Sequence, residues 1–361
     1  MPNVAEVMTV NAYSEIVNVA PYQGSKAMIL ADPNFVKWDP RARQLMVRSI
    51  EVGNASDFDN YWNTESAGGD SVRWHSIPIE HKRKKQIIIP YADEMASYEA
   101  GMKSSIVMAT EQYFNEKFAE EFDATTFTRI FGSTREENKF TENQKSVTSD
   151  NIFDTLDDII KDEANRGFGR SYPIDVFIAE TVYSGLNKYV RLNSGLANPN
   201  VLTRIDGYNL KFKDDRINGD NGGHFINTEI LKYNNLNLIP VPDDRMNTAI
   251  TMLSGKGDQS AGGWIKSETS KQIYMLVIPR RSAFAGVQIN ITNFHVPVMG
   301  APISNYTVGL DQGLETVLGN VTIENGGINQ LGANYQVNIG TFFGAAVMPL
   351  RDKGIIAITK A

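Results

Sequence analysis

The sequence predicts an α+β fold, with helices gathered in the first half of the chain and antiparallel strands in the second. Three observations carry this reading. Between Ala96 and Phe122, the residues Tyr98, Met102, Ile106, Ala109, Tyr113, Phe118 and Phe122 return at mostly four-residue steps. That is the apolar stripe of one long amphipathic helix, with Glu111, Glu116, Lys117, Glu120 and Glu121 opposite it. Over residues 285–345, strand-like runs are separated by Gly and Asn turns, Asn325-Gly326-Gly327 being the sharpest. There Tyr335, Val337 and Ile339 alternate with Gln336, Asn338 and Gly340, the period of a half-buried strand. The 361 residues are 42% hydrophobic and 21% charged, a balance that buries a core and excludes wholesale disorder.

Taken in order, the first 55 residues carry no sustained period and are interrupted by Pro2, Pro21, Pro33 and Pro40. Proline fixes φ and removes a donor, so an extended N-terminal arm is expected, with at most one short helix at Arg41–Ile50. From Ser56 to Tyr91, the turn Ser66–Asp70 precedes Val72 and Trp74, which alternate with Arg73 and His75. Pro78 assigns this segment to a sheet edge or a free ribbon. Lys82-Arg83-Lys84-Lys85 and Ile87-Ile88-Ile89 follow. Together they predict a long two-stranded projection that needs a neighbour to lie on, since an isolated hairpin is marginal in water.

The helix Ala96–Phe122 spans about 40 Å at 1.5 Å per residue and is expected to end near Thr125-Thr126. Residues Ser133–Ser149 read as a polar loop. Thr148 or Ser149 caps a second helix, striped by Ile152, Phe153, Leu156, Ile159 and Ile160 and stopped by Gly167. A short strand at Ile174–Ile178 leads into a third helix, Glu180–Leu192. Residues 197–270 are rich in Asn, Asp and Gly, with short strands such as Leu236–Val241 and an exposed tip at Ser254–Gly263. Ile273–Ile278 has the composition of a buried strand, and Gly354–Ile358 closes the chain with another.

Composition excludes several chemistries. Cysteine is absent, so disulfides, thiolate zinc sites, Fe–S clusters and thiol nucleophiles are out of reach. The charge sum, 35 Lys+Arg against 42 Asp+Glu, is -7, which argues against a dedicated nucleic-acid binder and suits solubility. The N-terminus has no basic region followed by a long apolar one, and no run reaches a membrane span, so a cytoplasmic protein without membrane insertion is expected. His75 and His81 flank Pro78 in a strand pattern and lack the helical spacing of a zinc site. Gly167-Phe168-Gly169-Arg170-Ser171-Tyr172 and Gly255-Lys256-Gly257 fall short of phosphate loops. The doublets Glu120/Glu121, Asp157/Asp158, Asp214/Asp215 and Asp243/Asp244 read as solvated faces, because neighbours on a helix point about 100° apart. No catalytic, cofactor-binding or metal-binding residue is assigned, and enzyme activity is not expected.

The basic run Lys82–Lys85 has three readings. It is a solvated end that resists edge-to-edge pairing, a contact to an acidic surface such as Glu116, Glu120 and Glu121 of a neighbouring copy, or a nucleic-acid patch. Base-stacking aromatics are not interleaved within it, as single-strand binding would need.

In order of segments, the chain resembles the major capsid proteins of tailed phages, the Hong Kong 97-type fold shared with encapsulin shells. Ser66–Tyr91 looks like that family's extended loop and Ala96–Phe122 like its spine helix. The segment Phe127-Thr128-Arg129-Ile130-Phe131-Gly132-Ser133 is similar to the exit from that helix. Asn151–Ile160 followed by Pro173–Leu186 resembles the start of the axial domain, and Val337–Pro349 the closing strand. The resemblance covers most of residues 60–361.

It implies an N-terminal arm (1–55), an extended loop (56–91), a peripheral domain (92–150 and 285–345) and an axial domain (151–284 and 346–361). It also implies self-assembly into hexamers and pentamers of an icosahedral shell around double-stranded DNA, contacted without sequence specificity. Scaffolding, portal and decoration proteins are its implied partners, and the virion, assembled in host cytoplasm, its location. A β-rich tail or receptor-binding protein and an encapsulin-like compartment are the alternatives. Lys82, Arg83, Lys84 and Lys85 are expected to face Glu116, Glu120 or Glu121 of an adjacent subunit. The physics agrees, because projecting limbs gain stability when copies overlap over obligate interfaces of roughly 2,000 Å² or more.

Overall fold

The computed structural model describes residues 24–31, 36–39, 44–51, 71–77, 81–90, 105–148, 151–168, 172–193, 203–205, 230–255, 262–296, 304–306, 308–310, 316–318, 322–323, 334–349 and 351–361, with single residues between 93 and 102. The expected turns at Ser66–Asp70 and Asn325–Gly327, the carboxylate doublet Asp214/Asp215 and the first 23 residues lie outside these.

The spine helix begins with α1 (Ser105–Gln112), passes through a π-helical turn (Tyr113–Phe118) and continues as α2 (Ala119–Ser133). The π turn falls where the apolar stripe steps five residues, from Tyr113 to Phe118. There the Ala119 N–H donates to the Phe114 carbonyl, five residues back, and the wider turn keeps both rings on the inner face. The helix runs well past Thr125-Thr126, its expected end. Thr125 Oγ1 donates to the Glu121 and Phe122 carbonyls at 2.8 and 3.0 Å, so its hydroxyl is satisfied without breaking the helix. Thr125, Thr126, Phe127 and Ile130 are buried and hold that last stretch against the core.

Strands β1 (Val36–Asp39), β2 (Gln44–Glu51) and β3 (Ser71–Ile77) form a three-stranded antiparallel sheet. Arg41–Ile50, expected as the arm's one helix, is therefore mostly strand. β2 finds partners on both sides, and tertiary pairing overrides a helix-like pattern only ten residues long. The pairing also departs from a simple ribbon of Ser66–Tyr91. β3 pairs with β2, Leu45 opposite Ile77 through Glu51 opposite Ser71. β4 (His81–Pro90) pairs instead with a strand near the end of the chain.

That partner is β18 (Asn334–Val347), which pairs with β13 (Ala283–Val296) over almost its whole length. With β14 (Ser304–Tyr306) and β17 (Thr322–Ile323) they make a sheet ordered β17-β14-β13-β18-β4. β4 is its edge. The spine helix lies on this sheet. Phe118 and Phe122 each meet Phe343 edge-on, ring centres 5.5 and 5.8 Å apart. Each fully buried ring contributes about 2–3 kcal/mol.

A second large sheet combines β5 (Lys139–Thr141), β6 (Ile174–Ala179), β7 (Thr203–Ile205), β8 (Ile230–Tyr233), β9 (Leu236–Val241), β12 (Ile273–Pro279) and β19 (Ile356–Thr359). Its order is β5-β19-β12-β6-β9-β8-β7. β6/β9 and β5/β19 run parallel and the other pairs antiparallel. Helices α3 (Ile152–Asn165) and α4 (Glu180–Asn193) precede and follow β6 in the chain. Two short pairs complete the fold, β10 (Ile250–Leu253) with β11 (Gly263–Lys266), and β15 (Val308–Leu310) with β16 (Thr316–Leu318).

Every residue of β6 is buried because the sheet serves two cores. Ile174, Val176 and Ile178 join Ile152, Leu156, Ile159, Val182 and Leu186 in one core. Phe177 and Ala179 point the other way and join the spine-helix core, where Phe127 and Phe177 sit 5.0 Å apart.

One buried charge ties three distant segments together. Asp123, fully buried on α2, accepts from Ser25 Oγ at 2.5 Å, the Ala27 amide at 2.8 Å, the Lys26 amide at 3.1 Å and Arg245 Nη1 at 2.9 Å. Burial pushes its carboxyl up, while the Arg245 guanidinium and the hydrogen bonds oppose that shift. Arg245 Nη1 also donates to the Gly24 carbonyl at 2.9 Å. Gly24 presses on the Asn115 carbonyl of the π turn so closely that a Cβ would collide. The 3₁₀ turn Ala27–Leu30 of the arm is thereby anchored on the spine helix.

Asp123→Ala leaves the Arg245 guanidinium and two arm amides without their acceptor, and is expected to cost about 3–5 kcal/mol. Adding Arg245→Met should return part of that loss in urea unfolding. A second expectation concerns Glu163 at the end of α3, 1% exposed, whose carboxyl burial raises from 4.5 to about 8. The folded chain then holds a proton that the unfolded chain releases between these values. This contribution to stability is complete below pH 4.5 and is lost as pH rises through about 8. Glu163→Gln, which stays neutral, should flatten the fall in unfolding free energy across that window.

Candidate functional site

The candidate surface is β4 and the spine helix it flanks. A strand places successive side chains on opposite faces, so the run Lys82–Lys85 cannot act as one patch. Lys82 and Lys84 are exposed, on the same face as Gln86 and Ile88. Arg83 faces inward with Ile87 and Ile89, although Lys85 in the same row is exposed.

Arg83 is committed within its own chain. Its Nε donates to Glu121 Oε1, Nη1 to the Leu253 carbonyl at 2.6 Å and Nη2 to the Gly263 carbonyl at 2.6 Å. One planar guanidinium thus joins β4, the spine helix and both strands of the β10–β11 pair, a geometry that suits a rigid fork. Desolvation pushes the Glu121 carboxyl up, and Arg83 pulls it back. The same desolvation, with the Glu121 charge next in effect, raises the Tyr113 hydroxyl to about 12. The expectation that Arg83 meets Glu121 across a subunit boundary is therefore corrected. Both groups lie inside the protomer, where each offsets the cost of burying the other.

The acidic side divides as well. Glu116 is exposed, with Gln112 Nε2 donating to it at 3.1 Å. Glu120 stands 3.9 Å from Arg245 Nη2. Lys82, Lys84, Lys85, Glu116 and Glu120 are the members of the expected set left for contact with another copy.

The other singled-out residues have structural duties. His81 packs on Phe343, ring centres 5.3 Å apart, and His75 lies on β3, a strand that does not pair with β4. Asp157 accepts from the Tyr233 hydroxyl at 2.8 Å. Asp243 accepts from the Thr181 amide at 3.0 Å at the start of α4. Among the described residues, no three His, Asp or Glu side chains gather to hold a metal ion. No helix among them is long and apolar enough to cross a membrane.

Sequence reading missed the node of Ser25, Asp123 and Arg245. One signal for it was available. Asp123 directly follows Phe122, on the face that the helix turns toward its core.

No family model matches this chain, and no curated protein matches it in sequence. Among solved structures it is similar to one from Mycobacterium phage Ogopogo, at 8% identity and TM-score 0.47, covering 94% of this chain and 93% of that one. It is similar to the capsid of cyanophage P-SCSP1u, at 12% identity and TM-score 0.42, covering 88% and 83%. It is also similar to a virus-like particle from Pyrococcus furiosus, at 9% identity and TM-score 0.42, covering 97% and 99%.

Arg83→Lys keeps the charge but removes two of the three bonds, and is expected to lower unfolding free energy by about 2–4 kcal/mol. Arg83→Glu with Glu121→Arg should regain stability in dilute, unassembled protein. Urea midpoints of the single and double variants read both outcomes.

Proposed function

We propose that this chain is a shell-forming capsid protein of the Hong Kong 97 type, assembling with copies of itself into hexamers and pentamers around double-stranded DNA. One observation carries this reading. Of the five large apolar side chains exposed among the described residues, four fall between residues 74 and 108: Trp74 on β3, Ile88 on β4, Met102, and Met108 on α1. Large apolar groups left in water cost free energy, and their gathering in one stretch of chain supports a surface that another protein covers. Beside them lie the exposed cations Lys82, Lys84 and Lys85, which complement Glu116 on the neighbouring helix surface of a second copy.

The element order supports the same reading. An arm segment, a ribbon strand, a spine helix on a long-stranded sheet and a separate sheet with two flanking helices follow one another as the capsid resemblance implies. The units 1–55, 56–91, 92–150 with 285–345, and 151–284 with 346–361 are proposed as arm, extended loop, peripheral domain and axial domain. The pairing of β4 with β18 draws residues 81–90 onto the peripheral sheet. The packing of Phe118 and Phe122 on Phe343 disfavours the rival reading as a β-rich tail or receptor-binding protein, because a helix clad by its own sheet is not free to pack between copies as a stalk. A compartment that encloses protein cargo is the remaining variant, distinguished by the mass inside purified particles.

Electron microscopy of the purified chain tests the proposal, and closed shells are the expected result. Trp74→Asp with Ile88→Asp should lower the yield of particles at least tenfold while leaving the circular dichroism of the subunit unchanged. Reversing Lys82, Lys84 and Lys85 to Glu should also block assembly, and adding Glu116→Lys and Glu120→Lys should restore it. A compact monomer at all concentrations, or full assembly of the Trp74/Ile88 variant, refutes the reading.

A further inference from the structure

The end of α3 is tied to a turn near the far end of the chain. Gly167 holds φ at 92°, the Phe168 N–H donates back to the Glu163 carbonyl at 3.1 Å, and the Gly167 N–H donates to the Ala164 carbonyl at 3.2 Å. This paired closure needs a left-handed residue just past the helix, which glycine supplies without a Cβ penalty. It sets Phe168 against Gly354, so closely that a Cβ at 354 would collide with the Phe168 ring and with Pro279. Arg166 completes the junction by donating from Nη1 to the Lys353 carbonyl at 3.1 Å. Both partners belong to the 3₁₀ turn Asp352–Gly354, which leads into β19.

One side chain in this junction is poorly provided for. Glu163 is buried, and its Oε1 accepts from Arg166 Nη1 at 3.4 Å, while Oε2 is buried without a hydrogen-bond partner. A carboxylate with one oxygen bare in a dry interior is costly, so the closed junction favours the neutral acid. Burial pushes the carboxyl up to about 8; Arg166 and Lys353 oppose the rise, and Asp162, one residue earlier on α3, adds to it. Asp162 is held by Lys145 at 2.8 Å. On the facing turn, Arg351 is engaged with the Tyr172 hydroxyl at 2.9 Å, and Asp352 with Arg135 at 2.8 and 3.0 Å.

We propose that this junction is a proton-held latch: while the Glu163 carboxyl is neutral, the last turn of α3 stays clamped to the turn before β19, and loss of that proton opens the clamp before the rest of the fold. Glu163 anchors the closure twice, by its carbonyl to Phe168 and by its carboxyl to Arg166. Bringing the carboxyl into water therefore unwinds the last turn, takes Arg166 off the Lys353 carbonyl and lifts Phe168 off Gly354. Burial of Glu163 makes overall stability fall with pH, and the junction adds where the chain opens first. This does not rest on the shell proposal.

Amide hydrogen exchange of the full, unassembled chain, measured across a pH series that passes 8, tests the latch. The closed junction keeps the proton and the open one releases it, so opening should grow about tenfold per pH unit between 4.5 and about 8 and level off above. Base-catalysed exchange itself grows about tenfold per unit, so the amides of Arg166, Gly167, Phe168, Gly354 and Ile355 should gain about a hundredfold per unit in that window. They should also exchange faster than the amides of Val176–Ile178 in the buried strand β6. Glu163→Gln should return the junction to the ordinary tenfold dependence. Arg166→Gln, which removes the nearest cation favouring the ionised form, should carry the steep range further above pH 8.

The inference is overturned if the wild-type junction follows the ordinary dependence, if Glu163→Gln keeps the steep one, or if Arg166→Gln leaves its upper limit in place. It is also overturned if the junction amides exchange no faster than those of β6, because the proton then governs only the unfolding of the whole chain.

Discussion

A carboxylate cannot be taken out of water unless something replaces the water, and Asp123 shows how far a fold goes to provide it. The replacement comes from Ser25 and two arm amides on one side and from Arg245 on the other. Those groups lie far before and far after the aspartate in the chain, so satisfying one charge fixes the turn Ala27–Leu30, the spine helix and the turn Asp243–Arg245 against each other. The π turn and the close seat of Gly24 on Asn115 serve the same docking. A hydrophobic residue at 123 would bury more cheaply but would not specify where the arm lies.

Around that node, the seven-stranded sheet works as a shared wall. Its side chains alternate between the core under the spine helix and the core under α3 and α4, so neither unit can shift without exposing the other. Outside that wall, Trp74 on β3, Ile88 on β4 and Met108 on α1 stay exposed, although β4 and α1 are themselves packed into the fold.

The elements legible from sequence were those with strong local period. The run Ile273–Ile278, the stripe Ile152–Ile160 and the helix from Glu180 appear within a few residues of their expected places, and the helix expected over Ala96–Phe122 is found over Ser105–Ser133. Where period was short or mixed, pairing decided. Arg41–Ile50 had only ten residues to argue for a helix and became mostly strand because β1 and β3 offered it two sets of hydrogen-bond partners. Thr125-Thr126 looked like a stop because threonine competes for backbone groups, yet Thr125 turns its hydroxyl onto the preceding turn and the helix continues. The basic run after His81 read as one patch because sequence lists charges without faces. On a strand, alternate positions part company, so Arg83 went to Glu121 while Lys82 and Lys84 stayed outside.

Composition and periodicity thus settled which chemistry is absent for want of cysteine, that helices and strands segregate into an α+β chain, and roughly where most of them lie, because these properties depend on neighbours a few residues away. Tertiary structure alone decided that β4 pairs with β18 and not β3, that Asp123 meets Arg245, and that Arg166 reaches the Lys353 carbonyl. Those outcomes turn on which distant donors and acceptors can satisfy one another in a dry interior, and that information exists only once the chain has closed on itself.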